Sequence, residues 1–91
     1  MKITVTQDHI DRGKRNDPSN CAICLALRDA GVVVEYVTYS PDHYTAGIYP
    51  NNSTLDGEAI PLPNVATKFM DYFDSGRAVR PFTFALNLGN K

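Results

Sequence analysis

The segment from residue 64 to residue 88 changes its hydrophobic period once, and this change constrains the fold more than any other feature. In its first part, large apolar residues follow the spacing i, i+4, i+7 and i+8, namely Val65, Phe69, Tyr72 and Phe73. That spacing predicts a helix over 64–75 with one apolar stripe, ended by Gly76. In its second part, apolar residues occupy every second position, namely Phe82, Phe84, Leu86 and Leu88. That alternation predicts a strand with one buried face, which we expect to pack against the helix stripe.

The first third of the chain predicts a strand followed by two helices. The segment "KITVT" alternates, which favours a half-buried strand, and Thr6 can then cap a short helix "QDHIDR" that stops at Gly13. Asp17 and Pro18 favour the start of a second helix, because proline suits the first helical position. We expect this helix to run up to Gly31, which supplies a left-handed cap.

The middle of the chain predicts a hairpin over 32–49. The segments "VVVEYVTYS" and "YTAGIY" are rich in β-branched and aromatic residues, and "PDH" between them favours a turn. Glu35 is expected to face water, which leaves one predicted buried face formed by Val32, Val34 and Tyr36. After a polar connection, we expect a short edge strand near 53–56, and the prolines of "AIPLP" favour an extended chain.

Together these elements predict an α+β fold with the order β-α-α-β-β-(β)-α-β. We expect a largely antiparallel sheet of four to five strands, with two or three helices packed on one face. A chain of 91 residues is short for two hydrophobic cores, so residues 1–91 are interpreted as a single domain.

Charge and hydropathy argue against two classes of partner. Nine basic and ten acidic residues give a net charge of −1, whereas non-specific DNA binding needs a surplus of lysine and arginine. The opening "MKITVTQDHI" lacks the apolar run of a signal peptide, and no window approaches the length of a transmembrane span. We therefore expect a cytoplasmic protein without membrane contact.

Cys21 and Cys24 form a Cys-x-x-Cys motif, for which three interpretations are open. A dithiol redox centre begins a helix directly after a strand, whereas this motif is predicted to lie inside a helix that follows a loop. A structural zinc site needs four ligands, and only His9 and His43 could complete the set. Because cysteine is among the most frequently buried residues, core packing is the favoured interpretation, and we expect no metal and no cofactor.

Catalytic groups are not clustered in the sequence. Hydrolysis would need a nucleophile, a base and an orienting acid together, and neither His9 nor His43 belongs to such a pattern. No glycine-rich phosphate loop is present either. We therefore expect a protein that is not an enzyme.

Two groups of residues are candidates for binding. The basic cluster of Arg12, Lys14 and Arg15 is either a solvated loop or an anion contact. The second group lies in or beside the predicted hairpin and contains Tyr39, His43, Tyr44 and Tyr49. Exposed tyrosines are frequent on recognition surfaces and can stack on nucleobases, although here they can also simply cover the sheet.

Three segments resemble a family of small proteins encoded by bacteriophages and related bacterial genomes. They are "ITVTQDHIDRG", "CAICLALRDAG" and "PLPNVATKFMDYFDSGRAVRPFTFALNL", and together they cover roughly half of the chain. The family pattern has a Thr-x-x-His-Ile opening, a Cys-Pro-Ile-Ala-Leu-Ala-like helix and a Pro-Phe-x-Phe-x-Leu ending. The chain departs from it at Ala22, where the pattern has proline.

The resemblance implies a biological context rather than a chemistry. Small phage proteins without catalytic motifs often bind host machinery, so the first hypothesis is a protein that inhibits or modulates a bacterial defence complex, like an anti-CRISPR, in the host cytoplasm. The alternative is a sponge for a cyclic or ADP-ribose-type nucleotide, and a further alternative is a metal or redox protein that uses Cys21 and Cys24. The sequence leaves a homo-oligomer open.

Overall fold

The computed structural model describes residues 2–39, 44–49 and 58–86, and it describes Tyr39, Tyr49 and Glu58 by their backbone alone. This described part of the chain contains five strands and three helices. Their order is β1 (Lys2–Val5), α1 (Gln7–Arg12), α2 (Ala22–Asp29), β2 (Val33–Tyr39), β3 (Tyr44–Tyr49), β4 (Glu58–Pro61), α3 (Asn64–Asp74) and β5 (Phe82–Ala85). The predicted turn at 41–43, the predicted edge strand at 53–56 and Leu88 lie outside the described residues.

The strands form two antiparallel sheets, which confirms the α+β class. β1 pairs with β5, and β2, β3 and β4 form the second sheet in that order. The prediction had combined them in one sheet. The two sheets are not joined by hydrogen bonds between the described strands. Instead, α2 packs against β1 of one sheet and β2 of the other.

The start of the chain folds as its pattern predicts. Ile3 and Val5 are fully buried on β1, while Lys2 and Thr4 are exposed. Thr6 is the N-cap of α1, and its hydroxyl accepts a hydrogen bond from the backbone N–H of His9. The ring of His9 in turn accepts from the Thr6 backbone N–H, so it takes the part that glutamate usually plays in a capping box.

The predicted start of α2 is wrong by several residues. The Asp17 carboxylate accepts hydrogen bonds from the backbone N–H groups of Ser19 and Asn20, and this closes a turn before the helix. The hydrogen bond from Ser19 and that from the Asn20 side chain hold the pKa of Asp17 below its ordinary value. The helix begins only after Cys21, whose Sγ accepts from the backbone N–H of Cys24 at 3.4 Å.

The buried face of β2 also differs from the prediction. The pairing with β3 is antiparallel, as expected of a hairpin, but its register shifts between Val34 and Tyr36. Because of this bulge, Val34 and Val37 are buried, and Tyr36 is only half-buried. The Tyr36 ring lies directly over Gly47, where any side chain would overlap it.

Candidate functional site

Helix α3 presents a different face to the core than the sequence predicts. The buried residues follow the spacing i, i+3, i+4 and i+7, namely Ala66, Phe69, Met70 and Phe73. Val65 and Tyr72, which were expected in the buried stripe, are instead 50% and 46% exposed. The predicted contact with the last strand is present, since the rings of Phe69 and Phe82 lie 4.7 Å apart. The helix is therefore rotated about its axis relative to the prediction. As a result, the side chains of Val65 and Tyr72, two helical turns apart, lie at the surface.

The end of α3 holds an arginine over one of these exposed side chains. Gly76 has a φ of +80°, and its N–H donates to the carbonyl of Phe73, while the N–H of Arg77 donates to that of Tyr72. These two bonds define a Schellman motif. In this motif the second residue after the C-cap, here Arg77, lies against the third-last residue of the helix, here Tyr72. The guanidinium of Arg77 accordingly lies 5.1 Å from the centre of the Tyr72 ring. Sequence reasoning missed this pair, although the position of Gly76 was a signal for it.

The loop after α1 is fastened to the same end of α3. The Asn16 backbone N–H donates to Asp74 Oδ1 at 2.9 Å, and the Asn16 side chain donates to the Asp74 carbonyl at 3.2 Å. Arg15 Nε donates to the Phe73 carbonyl at 3.1 Å, with its guanidinium 5.9 Å from the Phe73 ring centre. Arg15 and Arg77, which are distant in the chain, therefore line the same cleft at the end of α3.

The other members of the predicted basic cluster lie apart from this contact. Arg12 is paired with Asp8 at 2.8 Å, one turn earlier in α1, and lies 4.0 Å from Asp29 of α2. Lys14 is exposed and its backbone N–H donates to the carbonyl of Asn20. Of the three predicted cations, Arg15 alone is placed at the end of α3.

The predicted tyrosine surface is only partly described. Tyr44 is 7% exposed, and its hydroxyl donates to Asp74 Oδ2 at 3.0 Å, so of the two open interpretations it fits packing within the fold and does not present its ring at the surface. Tyr44 begins β3, and its backbone N–H donates to Thr67 Oγ1 of α3 at 3.1 Å, so two hydrogen bonds hold it against this helix. Tyr39 and Tyr49 are described by their backbone alone, at the ends of β2 and β3, and His43 lies outside the described residues.

Cys21 and Cys24 are free thiols, 1% and 0% exposed. Cys24 Sγ donates to the carbonyl of Pro18 at 3.1 Å. The hydrogen bond between the thiols and burial both raise the pKa of Cys21, whereas the hydrogen bond from Cys21 and the charge of Arg28 lower the pKa of Cys24. Among the described residues, no set of three histidine, cysteine or acidic side chains is arranged to hold a metal ion.

The burial of both thiols predicts slow chemistry in the folded protein. We expect Ellman's reagent to react with Cys21 and Cys24 far more slowly in the native chain than in urea, because the attacking thiolate must reach the reagent. The Cys21→Ser variant serves as the control that assigns the rates to individual thiols. Rapid reaction of Cys24 in the native protein would contradict this expectation and would support the redox alternative.

His9 has both ring nitrogens engaged. Nδ1 accepts from the Thr6 backbone N–H at 2.9 Å, and Nε2 lies 2.6 Å from Asp29 Oδ2. Since Nδ1 accepts, the proton of the neutral ring is on Nε2 and is donated to Asp29. With His9 only 5% exposed, this chain of bonds ties α1 to the end of α2, which is a structural role.

Comparison of the chain with protein-family models, with curated proteins and with solved structures gives no match. None of the described helices combines the length and the apolar character needed to cross a membrane.

Proposed function

We propose that this chain is a small, non-enzymatic binding protein that inhibits or modulates a bacterial defence complex, in the manner of an anti-CRISPR. The observation that carries the proposal is the α3 face, defined as the exposed side chains of Val65, Lys68, Tyr72 and Arg77. The resemblance of both chain ends to bacteriophage proteins supports the setting, which is the cytoplasm of an infected host.

The α3 face has the composition of a protein-binding surface. Tyrosine and arginine are the residues that most often dominate binding energy at interfaces, and here they are already in contact. Val65 and Tyr72 lie about 10 Å apart along the helix axis, close enough to enter one pocket or two adjacent ones. Phe69 fixes the helix from below through its contact with Phe82, so little conformational entropy is lost on binding.

The charges on this face indicate the chemistry of the partner. Lys68 lies between the two apolar side chains and Arg77 lies at the end of the helix, whereas Asp71 is the one acidic neighbour exposed within the described helix. We propose a partner protein with an apolar pocket bordered by carboxylates, because such a border complements the two cations.

The nucleotide-sponge alternative has less support. It requires a hairpin tyrosine beside Arg12, Lys14 or Arg15. Tyr44 is instead buried with its hydroxyl on the Asp74 carboxylate, a negative charge that disfavours a nearby phosphate. The protein-binding proposal needs none of these hairpin residues.

The proposal predicts that two substitutions on α3 abolish inhibition without unfolding the protein. Bacterial strains that each carry one defence system would express the wild-type chain or the Val65→Ser/Tyr72→Ser variant, and the plating efficiency of a sensitive phage would be measured. We expect the wild type to restore plating against one system and the double variant to lose this effect. Loss of two anchors of this kind costs about 2 kcal/mol or more, which is a roughly 30-fold weaker affinity.

The Val33→Ser variant is the matched control, since Val33 is 36% exposed on β2 and does not belong to the α3 face. It should inhibit as the wild type does. A wild-type chain that protects phage against no system would contradict the proposed function. Inhibition that survives in the α3 variant but fails in Val33→Ser would contradict the proposed surface.

A further inference from the structure

We infer that the cleft between the loop after α1 and the end of α3 binds the phosphate group of a small phosphate monoester, such as a sugar phosphate or a nucleoside monophosphate. The cleft has a volume of about 360 Å³, within the range of small-ligand sites. The lining residues that bear on the ligand are Ile10, Asp11, Arg15, Phe73, Arg77 and Val79. Arg77 belongs both to this cleft and to the α3 face, but the inference does not depend on the protein-binding proposal, because its test measures a small ligand and no partner protein.

Two arginines in this cleft lack an acidic partner among the described residues. In the described part of the chain, the salt bridges involve His9 and Arg12, and neither Arg15 nor Arg77 has a carboxylate within 4.0 Å. Arg15 uses Nε for the Phe73 carbonyl, which fixes its guanidinium and leaves the two terminal nitrogens without a hydrogen bond to a described residue. Two guanidinium groups in one cavity are the usual partners of a phosphate, which can accept two parallel hydrogen bonds from each.

The carbonyl groups at the end of α3 would normally repel an anion, but donors from the protein cover them. The Tyr72 carbonyl accepts a hydrogen bond from the backbone N–H of Arg77. The Phe73 carbonyl accepts from the backbone N–H of Gly76 and from Arg15 Nε. The Asp74 carbonyl accepts from the Asn16 side chain. Because these bonds satisfy the negative end of the helix dipole, the positive charge of the arginines remains available to a ligand.

The remaining lining residues offer contacts that a phosphate ester can make and inorganic phosphate cannot. Asp11 carries a negative charge at the cleft, and its Oδ1 is bonded to Gln7 Nε2, which leaves Oδ2 free of any described partner. A carboxylate oxygen in this position repels the phosphate of either ligand, but it accepts hydrogen bonds only from the hydroxyl groups that an ester such as a sugar phosphate carries. Ile10 and Val79, both half-buried against the core, supply the smaller, apolar part of the lining. The chemistry therefore favours a phosphate ester that carries hydroxyl groups.

Calorimetric titration of the full chain at low ionic strength tests the inference with three probes, namely ribose 5-phosphate, inorganic phosphate and ribose. We expect ribose 5-phosphate to bind, inorganic phosphate to bind more weakly and ribose not to bind. Arg15→Gln and Arg77→Gln should each weaken ribose 5-phosphate binding about tenfold or more, as expected for a lost hydrogen bond to a charged group. Lys2→Gln, on β1, removes the same charge outside the cleft and should leave the affinity unchanged.

Several results would overturn the inference. These are no heat of binding with either phosphate, equal weakening by Lys2→Gln and the two arginine variants, or inorganic phosphate binding as tightly as the ester. Arg15→Gln also removes the bond to Phe73, so its melting temperature is measured without ligand. If that variant unfolds, Arg77→Gln decides, since the one described contact of its guanidinium is with the exposed Tyr72 ring.

Discussion

Replacing Gly13 with alanine should destabilise the fold by about 3 kcal/mol or more, the upper part of the range for added atoms in a packed interior. A Cβ at this position would lie 2.6 Å from the backbone nitrogen of Ala22 and 2.9 Å from the carbonyl oxygen of His9. Both neighbours are backbone atoms of helical residues, so a side chain cannot rotate away to make room. The free energy of unfolding, from urea denaturation, measures this effect.

Gly31→Ala is the control for this prediction. Gly31 has a φ of +85° and nothing within 4 Å of the position that an added methyl group would take, so alanine there costs only backbone strain, about 1–2 kcal/mol. We expect Gly13→Ala to be the more destabilising of the two, even though the φ of Gly13 is an ordinary −67°. The reverse order would show that α1 and α2 do not approach as closely as described.

Phe73→Ala should destabilise the protein by about 3–5 kcal/mol, while Tyr72→Ala should cost about 1 kcal/mol or less. The two aromatic residues are neighbours on α3, but Phe73 is 3% exposed and Tyr72 is 46% exposed. Alanine at 73 leaves a cavity beside Phe69, whose ring centre is 5.7 Å away. Alanine at 72 loses one contact with Arg77 in water. Thermal and urea unfolding of both variants measure the difference.

This pair of variants also tests the orientation of α3, on which the proposed function depends. Similar large losses for both would mean that Tyr72 belongs to the core, as its spacing in the sequence suggested. If Phe73→Ala does not fold, Phe73→Leu, which keeps most of the buried volume, should cost clearly less and still rank above Tyr72→Ala.

The elements that could be predicted from the sequence are those whose pattern has one physical interpretation. The alternation of Ile3 and Val5 with polar residues fits only a one-sided strand, and Thr6 before a polar helical segment fits an N-cap. The positive φ of Gly31 and Gly76 at helix ends also follows from the sequence, because glycine alone adopts that conformation freely.

The start of α2 could not be predicted, because the same residues serve two local structures. Asp17 before Pro18 fits an N-cap, yet an aspartate also closes a turn by bonding the next backbone N–H groups, as it does with Ser19 and Asn20. The choice depends on tertiary contacts. The Pro18 carbonyl accepts from the backbone N–H of Val37, which fixes the turn against β2.

The exposed face of α3 could not be predicted for a related reason. The sequence pattern of the largest apolar side chains predicts that Val65 and Tyr72 are buried. In the structure Ala66 and Met70 are buried in the core, and Val65 and Tyr72 are exposed. A small residue such as alanine is buried when a neighbouring element approaches closely, and nothing local to the helix reports that approach. The proposed binding surface is therefore a product of packing, and the cleft joins residues that are far apart in the chain, Arg15 and Arg77 among them.

Site-specific photocrosslinking shows directly whether α3 carries the proposed binding surface. Benzoylphenylalanine would replace Val65 in one variant and Val33 in another, each expressed in the bacterial strain in which the wild type restores phage plating, as proposed. Irradiation should join the Val65→benzoylphenylalanine variant to a subunit of that system, and the Val33 variant should give no such product. A crosslink from position 33 and none from position 65 would contradict the account.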